Sequence, residues 1–97
     1  MDGFFVLPLD DGMRTLSAPV LVSLGTTPGT TVVRPQDVFA EAFKANAHAI
    51  VIAHNHPSGD PTPSAQDRQL TNELTRLGDS LGVKVLDHLV LTKRIWQ

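Results

Sequence analysis

The sequence predicts a single α/β (α+β) domain in which a mixed sheet packs against helices. Short apolar runs bounded by turn residues are typical of strands, and two longer segments carry apolar residues at helical spacing. One run, AIVIA, has the continuous apolar centre expected of a strand that is covered on both faces. The predicted order is β-β-β-α-β-α-β. Residues 1–97 are expected to form one domain, because 97 residues suit a single hydrophobic core.

The first third of the chain is predicted to form three strands. FFVLPL, residues 4–9, is a short apolar run, and the DDG that follows it is a turn signal. RTLSAPVLVSLG, residues 14–25, then pairs back as a hairpin, with Pro19 marking an irregularity or a sheet edge. A third short strand is expected around Thr30–Val33, where turn residues give way to a β-branched run.

Two helices are predicted in the rest of the chain. Pro35 opens the first, because proline is well tolerated in the first turn of a helix. The second runs from Ser64 to about Leu81 and ends at Gly82, with leucines at helical spacing in between. The apolar side of the first helix is predicted to consist of Val38, Ala42 and Ala45, with Phe39 and Phe43 beside them.

Two further strands alternate with these helices. HAIVIAHNH, residues 48–56, contains the apolar run, and VKVLDHLVLT, residues 83–92, is the last predicted strand. We interpret His88, in the last strand, as a satisfied core residue, with a supporting role beside a metal ligand as the alternative. We interpret His48 as an ordinary surface residue.

Composition limits the partners of the domain. The net charge is −2, from 8 basic and 10 acidic residues without a Lys/Arg cluster, and the aromatic residues are four Phe and one Trp. Nucleic acid is therefore not an expected partner of this domain. Because there is no cysteine, disulfides and thiolate metal sites are excluded. MDGFFVLPLD lacks the basic start of a signal peptide and the length of a membrane span, so a cytoplasmic protein without a membrane partner is expected.

The stretch HNHPSGDPTPSAQD, residues 54–67, carries the residues most suited to chemistry. His54 and His56 are two apart on a predicted strand, so their side chains point the same way from backbone positions about 6.5–7 Å apart. Two imidazoles placed in this way can bind one zinc ion, and a catalytic zinc usually has three protein ligands. Asp67 can supply the third if the loop doubles back. Three prolines and Gly59 favour a rigid loop, which would hold the ligands in place.

Structural interpretations of the same residues remain open. A histidine at a strand end is most often a surface residue or a hydrogen-bonded one. Ser64 to Asp67 also fits the S-x-x-D capping box, which satisfies amide donors at the start of a helix. The two interpretations can coexist, with Ser64 capping the helix while Asp67 turns towards a metal.

The same stretch resembles the JAMM metalloprotease motif, which is H-x-H, seven residues, Ser, two residues and Asp. The seven residues Pro57 to Pro63 separate His56 from Ser64, and two more residues lead to Asp67. More narrowly, VVRPQDVFAEAFKANAHAIVIAHNHPSGDPTPSAQDRQLT together with VKVLDHLVLT resembles the RadC family of bacterial proteins. The resemblance extends from the first hairpin to Leu91.

The resemblance implies a fold and an activity. The fold would be the cytidine-deaminase-like α/β sandwich of JAMM (MPN) domains. The activity would be that of a zinc-dependent metallopeptidase or isopeptidase, with a peptide or protein as substrate. His54, His56 and Asp67 would bind the zinc, and Ser64 would hydrogen-bond the oxyanion that develops during hydrolysis.

The chain departs from the family pattern at the general base. JAMM enzymes use a glutamate on a strand before the first helix, and around Val20 and Leu21, where it would align, the residues are apolar. The two glutamates of the chain, Glu41 and Glu73, fall within the predicted helices. The general base is therefore unassigned, with the loop carboxylates Asp10, Asp11 and Asp60 as candidate substitutes. RadC proteins also carry a helix-hairpin-helix region, and nothing in residues 1–97 resembles one.

Three functions follow as hypotheses. The first is a zinc-dependent metallopeptidase or isopeptidase-type hydrolase. The second is a metal-binding but catalytically impaired module for protein–protein contact. The third is a DNA-repair-associated accessory domain. The sequence names neither a substrate nor an oligomeric state.

Overall fold

The computed structural model describes residues 2–25, 33–56 and 65–92. Within these ranges the chain forms a mixed sheet and two helices, which confirms the predicted α+β fold class. Neither of these helices is both long and apolar enough to span a bilayer. The elements are, in chain order, β1 (Asp2–Leu9), β2 (Val20–Gly25), α1 (Pro35–Lys44), β3 (Ala49–His56), α2 (Ala65–Leu81) and β4 (Lys84–Thr92).

The sheet has the strand order β2-β1-β3-β4. β1 pairs in antiparallel fashion with both β2 and β3, whereas β3 and β4 are parallel. A parallel pair cannot be joined by a tight turn, because the chain must return to the end at which the first strand began. α2 makes this return and so crosses over the sheet between β3 and β4.

The hydrophobic core lies between one face of the sheet and both helices. β1 and β3 contribute alternate residues to this face, and the pairing of Val6 with Ile52 aligns them. Each large aliphatic or aromatic side chain that is fully buried here contributes roughly 1.5–3 kcal/mol of hydrophobic stabilisation. The buried core consists of Phe4, Val6, Val38, Phe39, Ala42, Ile50, Ile52, Leu74 and Val83.

The opposite face of the sheet is partly open to solvent. Val51 and Ala53, which alternate with the buried isoleucines, are only half-buried. Leu21 and Leu89 in the outer strands are exposed by 48% and 43%. The prediction that β3 is covered on both faces is therefore wrong for the part of the chain that the structure describes. Both helices pack on the Ile50/Ile52 side, so an apolar run here does not mean two covered faces.

The second strand is shorter than predicted. It begins at Val20 rather than Arg14, and Thr15 makes only an isolated bridge to Leu9. The intervening turn is held by the side chain of Asp10, whose Oδ1 accepts hydrogen bonds from the backbone N–H groups of Gly12 (2.8 Å) and Arg14 (2.9 Å). This turn brings Thr15 back opposite Leu9, and the N–H of Leu16 donates to the carbonyl of Pro8 at 2.9 Å. The regular ladder is interrupted after Leu16 and resumes when β2 begins at Val20. Of the strand predicted at Thr30–Val33, positions 30–32 lie outside the described residues, and Val33 is not in a strand.

Both predicted helices are present, although the predicted start of α2 at Ser64 lies outside the described residues and one prediction on α1 is wrong. α1 begins at Pro35 as expected, and α2 ends at Leu81 before Gly82, whose φ of +79° suits glycine. Phe43, predicted beside the apolar face, is 56% exposed. At about 100° per residue it lies about 140° from Val38, outside the arc that the sheet covers.

Gly78 allows close contact between α2 and the start of β4. A Cβ at position 78 would lie 2.3 Å from the backbone oxygen of Val83, a distance that requires the backbone to move. The N–H of Val83 also donates to the carbonyl of Gly78 at 3.0 Å. This contact holds α2 against the strand that carries His88.

We expect Gly78→Ala to destabilise the fold. The added methyl group must displace the backbone of Val83, and overpacking of this kind costs about 1–3 kcal/mol. Urea denaturation should show a lower midpoint. Ser80→Ala, at an exposed position on the same helix, should change stability little. Equal midpoints for Gly78→Ala and wild type would contradict the close contact.

Candidate metal centre

His54 reaches the core side of the sheet near the carboxyl end of β3. It pairs with Phe4 of β1 on one side and with Val90 of β4 on the other. Because residues two apart in a strand face the same way, its imidazole shares the face of Ile52. The side chain of His54 is 12% exposed. The regular alternation of β3 therefore turns this histidine inwards.

Asp67 meets His54 from the first turn of α2. Its Oδ1 lies 3.0 Å from Nδ1 of His54, and the residue is 6% exposed. A buried carboxylate is costly without polar partners, and the imidazole is one such partner. The N-terminal turn of a helix also favours negative charge, because its amide groups and dipole are positive there. The strand end and the helix start thus stabilise each other through this pair.

His88 enters the same region from the neighbouring strand. It pairs with Ile52, so its side chain lies on the face that carries His54. The two imidazole rings are stacked with their centroids 6.4 Å apart, and the buried ring of Phe4 lies 5.8 Å from each. Nδ1 of His88 is hydrogen-bonded to Oγ1 of Thr71 on α2.

Together these residues form a group that can hold a metal ion. One ligand atom from each of His54, Asp67 and His88 lies within 4.8 Å of the other two. Two atoms bound to one tetrahedral zinc at about 2.1 Å are about 3.4 Å apart, so a pair near the 4.8 Å limit of this group must close by roughly 1.4 Å when an ion binds. Two imidazole nitrogens and one carboxylate oxygen match the ligands that zinc takes in catalytic sites. The donor set fits a divalent metal.

The structure describes the side chains of two of the three predicted metal ligands. The structure brings His54 and Asp67 together, as the motif required, and their binding of a metal remains a prediction. His56 is the last residue of β3 and pairs with Thr92, but the position of its side chain lies outside what the structure describes. Ser64 and the loop before it also lie outside the described residues.

For His88, sequence reasoning favoured a satisfied core residue and gave a supporting role beside a metal ligand only as the alternative. The hydrogen bond to Thr71 agrees with the favoured interpretation. The position of His88 beside His54 and Asp67 agrees with the location that the alternative required. The only local signal was a histidine in an apolar strand. Its neighbourhood depends on the β3–β4 register, which the sequence pattern does not reveal. His48 is exposed, as predicted.

Comparison with known proteins assigns the chain to a family. The family model described as "RadC-like JAB domain" matches residues 2–96. The chain belongs to the RadC-like JAB family. The mixed sheet and two helices are consistent with a JAB/MPN-like α/β fold, as the sequence resemblance implied.

Curated relatives of this JAB domain are named as UPF0758 proteins. One from Trichlorobacter lovleyi is 42% identical over 87 residues, which cover 90% of this chain and 37% of that protein. Protein STH371 of Symbiobacterium thermophilum is 51% identical over 70 residues, covering 72% of this chain and 30% of that protein. A relative from Thermotoga maritima is 40% identical over 89 residues, which cover 92% of this chain and 39% of that protein. The chain thus spans well under half the length of these relatives.

The register of β2 decides which positions of the JAB domain face the metal group. Leu21 pairs with Phe5 on the open face of the sheet, opposite to His54. The register shifts between Phe4 and Phe5, and Ser23 pairs with Phe4, which in turn pairs with His54. Ser23, Phe4 and His54 are thus paired across three neighbouring strands and form one row of the sheet. Leu21 is not in this row.

Two of the suggested substitute bases are far from the site. Asp10 follows Leu9, which pairs with Ala49 at the start of β3, five residues before His54. This places Asp10 and Asp11 about 17 Å away along the strand. The proposal that they reach the site is therefore wrong, and the carboxylate of Asp10 instead binds the backbone of its own turn. Asp60 lies outside the described residues.

Neither glutamate belongs to the described group of His54, Asp67 and His88. Glu41 forms an ion pair with Lys44, with 3.2 Å between Oε1 and Nζ, on α1. Glu73 is exposed on α2. Their helical positions agree with the sequence prediction.

A cleft adjoins the metal group. It has a volume of about 410 Å³ and lies between α2 and β4. Asp67, Thr71 and His88 form part of its wall, and Arg68 and Asp87 line it as well. The cleft therefore connects the candidate ligands with a space that a second molecule can enter.

We expect His54→Ala to abolish most metal binding, because it removes a nitrogen donor and the partner of a buried carboxylate. Zinc content after equilibrium dialysis, measured by elemental analysis, checks this outcome. His48→Ala is the matched control, since it removes an exposed histidine just before β3. Equal zinc content in His54→Ala and His48→Ala would contradict the assignment.

Proposed function

We propose that this JAB domain is a zinc-dependent hydrolase that cleaves an amide bond in a peptide or protein. Zinc would be held by His54, Asp67 and the second histidine of the motif, His56. Zinc in such a site makes water a usable nucleophile near neutral pH. The contact of 3.0 Å between Nδ1 of His54 and Oδ1 of Asp67 is the observation that carries the proposal. The motif requires both side chains to bind the same zinc ion, so they must lie this close together.

The surroundings of this pair suit the proposed reaction. Phe4 packs beside both imidazoles and limits access of water from the core side. On the other side, the cleft between α2 and β4 offers a route for an extended peptide to reach the pair. In the proposed reaction Ser64 donates a hydrogen bond to the oxyanion, where a donor contributes most to the rate.

Hydrolysis can be tested with the complete chain. The zinc-loaded protein is incubated with a mixture of peptides and with an isopeptide-linked substrate, and cleavage is followed by mass spectrometry. We expect cleavage that requires zinc, is lost in His54→Ala and persists in His48→Ala. Cleavage that survives in His54→Ala would mean that the proposed site is not responsible.

A second function is favoured by the residues around the expected base. In this function the domain holds zinc and binds another protein without efficient hydrolysis. Val20 and Leu21 are apolar, and Leu21 lies on the opposite face from His54. Proton transfer by a positioned base contributes typically about 10²–10⁴-fold to a rate, so its loss would leave slow turnover at best. Zinc binding with no cleavage of any tested substrate would favour this second function.

The substitution Ser64→Ala tests whether Ser64 only caps the helix or also takes part in catalysis. A lost N-cap lowers stability by roughly 0.5–2 kcal/mol and leaves turnover of the folded protein intact. A lost oxyanion donor lowers kcat by about 10²–10³-fold. We expect the larger loss of kcat, measured alongside urea denaturation. Equal kcat in mutant and wild type would reduce Ser64 to a capping residue.

Introduced glutamates test whether the site lacks only its base. We expect Ser23→Glu to raise hydrolysis most, because Ser23 shares the row of His54 and lies two strands away, about 10 Å between backbones. Val20→Glu is in the row of Ile52, one step further from the site, and should do less. Leu21→Glu is the matched control on the opposite face. A gain limited to Leu21→Glu would contradict the register of β2.

A further inference from the structure

His88 lies beside the proposed ligands although it is outside the H-x-H motif. The ring is stacked on that of His54, and its ligand atom belongs to the group spanning at most 4.8 Å. Nε2 of His88 is also buried from solvent. A buried imidazole next to a buried carboxylate and a second imidazole is a metal-binding arrangement as well as a structural one.

Thr71 determines which ring nitrogen of His88 carries the proton. The hydroxyl group of Thr71 donates to the backbone carbonyl of Asp67 at 2.8 Å. A carbonyl can only accept, so the single hydroxyl hydrogen of Thr71 is used in this bond. While Thr71 makes this bond, its Oγ1 can only accept from His88, and in that arrangement Nδ1 of His88 is the donor.

The tautomer of His88 follows from these two bonds. A neutral imidazole has one protonated nitrogen and one with a lone pair. With the proton on Nδ1, the lone pair is on Nε2. Metal-binding histidines are commonly held in this way, with the other ring nitrogen donating to a fixed acceptor that sets the tautomer and orientation of the ring. Here that acceptor is anchored to the backbone of Asp67 itself.

We propose that His88 is a metal-binding residue of this site, that it offers Nε2 to zinc, and that Thr71 is the positioning residue that holds it there. The inference rests on the metal site of the proposed function but not on its hydrolytic step. It adds to the motif a nitrogen donor from β4, so zinc would be five-coordinate when it also holds a water molecule. Metal binding would then join β3, α2 and β4, whereas the motif residues alone join only β3 and α2.

Ring-nitrogen NMR of the complete chain tests the inference directly. The protein is labelled with ¹⁵N-histidine, and long-range ¹H–¹⁵N spectra are recorded before and after one equivalent of zinc, with His88→Gln used to assign the His88 signals. We expect the Nδ1-protonated tautomer without metal and a shift of Nε2 to the metal-bound range with zinc. If wild type binds zinc while Nε2 of His88 does not shift, the inference is overturned and the proposed zinc site is not.

Variants give an independent measurement through zinc affinity, determined by competition with a chelator. Loss of a residue that orients a ligand typically lowers metal affinity about 10–100-fold. We expect such a loss in Thr71→Val, restoration in Thr71→Ser, which keeps the hydroxyl group, and a loss at least as large in His88→Ala.

Thr75→Val is the matched control, because Thr75 makes the same kind of bond, to the carbonyl of Thr71 at 2.8 Å, one turn further from Asp67. Wild-type affinity in both Thr71→Val and His88→Ala would overturn the inference, as would equal losses in Thr71→Val and Thr75→Val. If His88→Ala does not fold, as judged by circular dichroism, the Thr71→Val and Thr71→Ser pair decides. A wild type that takes up no zinc would overturn the proposed function itself.

Discussion

The parallel pairing of β3 with β4 is the constraint on which the candidate metal centre depends. It requires a crossover, and the crossover is α2, which brings Asp67 to His54 near the carboxyl end of β3. Open α/β sheets commonly bind ligands at the carboxyl ends of their strands. The same pairing places His88 next to Ile52 and so on the same face as His54. Three residues distant in sequence meet because one pair of strands is parallel.

The side chains of His54, Asp67 and His88 occupy space that apolar side chains could fill. Phe4 is fully buried and lies against both imidazoles, so the hydrophobic core continues up to the candidate ligands. A buried carboxylate paired with an imidazole contributes little net stability compared with well-packed apolar residues. Sites where a fold departs from efficient apolar packing are often functional. A metal ion would provide the interaction that makes this arrangement favourable, since its binding energy is available only when the ligands are assembled.

In this RadC-like JAB domain, the register of β2 decides which of its side chains lie on the face of the candidate metal centre. A shift of one residue moves a side chain to the other face of a sheet. Because the register of β2 shifts between Phe4 and Phe5, Leu21 faces away from His54 while Ser23 shares its row. Aligning a missing glutamate by sequence alone therefore identifies the strand but not the face. The residue of β2 that shares this row with His54 is Ser23, a position that the alignment around Val20 and Leu21 did not include.

The sequence by itself determined the local features of this protein. Helical spacing, Pro35 and Gly82 predicted both helices, and the apolar run predicted β3. The resemblance of residues 54–67 to the JAMM motif implied that His54 and Asp67 meet. These are short-range patterns, set by backbone geometry and the nearest neighbours. Only the tertiary structure decided that both helices pack on one face, that Asp10 is remote and that His88 lies beside His54 and Asp67. Such features depend on strand order and register, which arise from contacts between segments far apart in the chain.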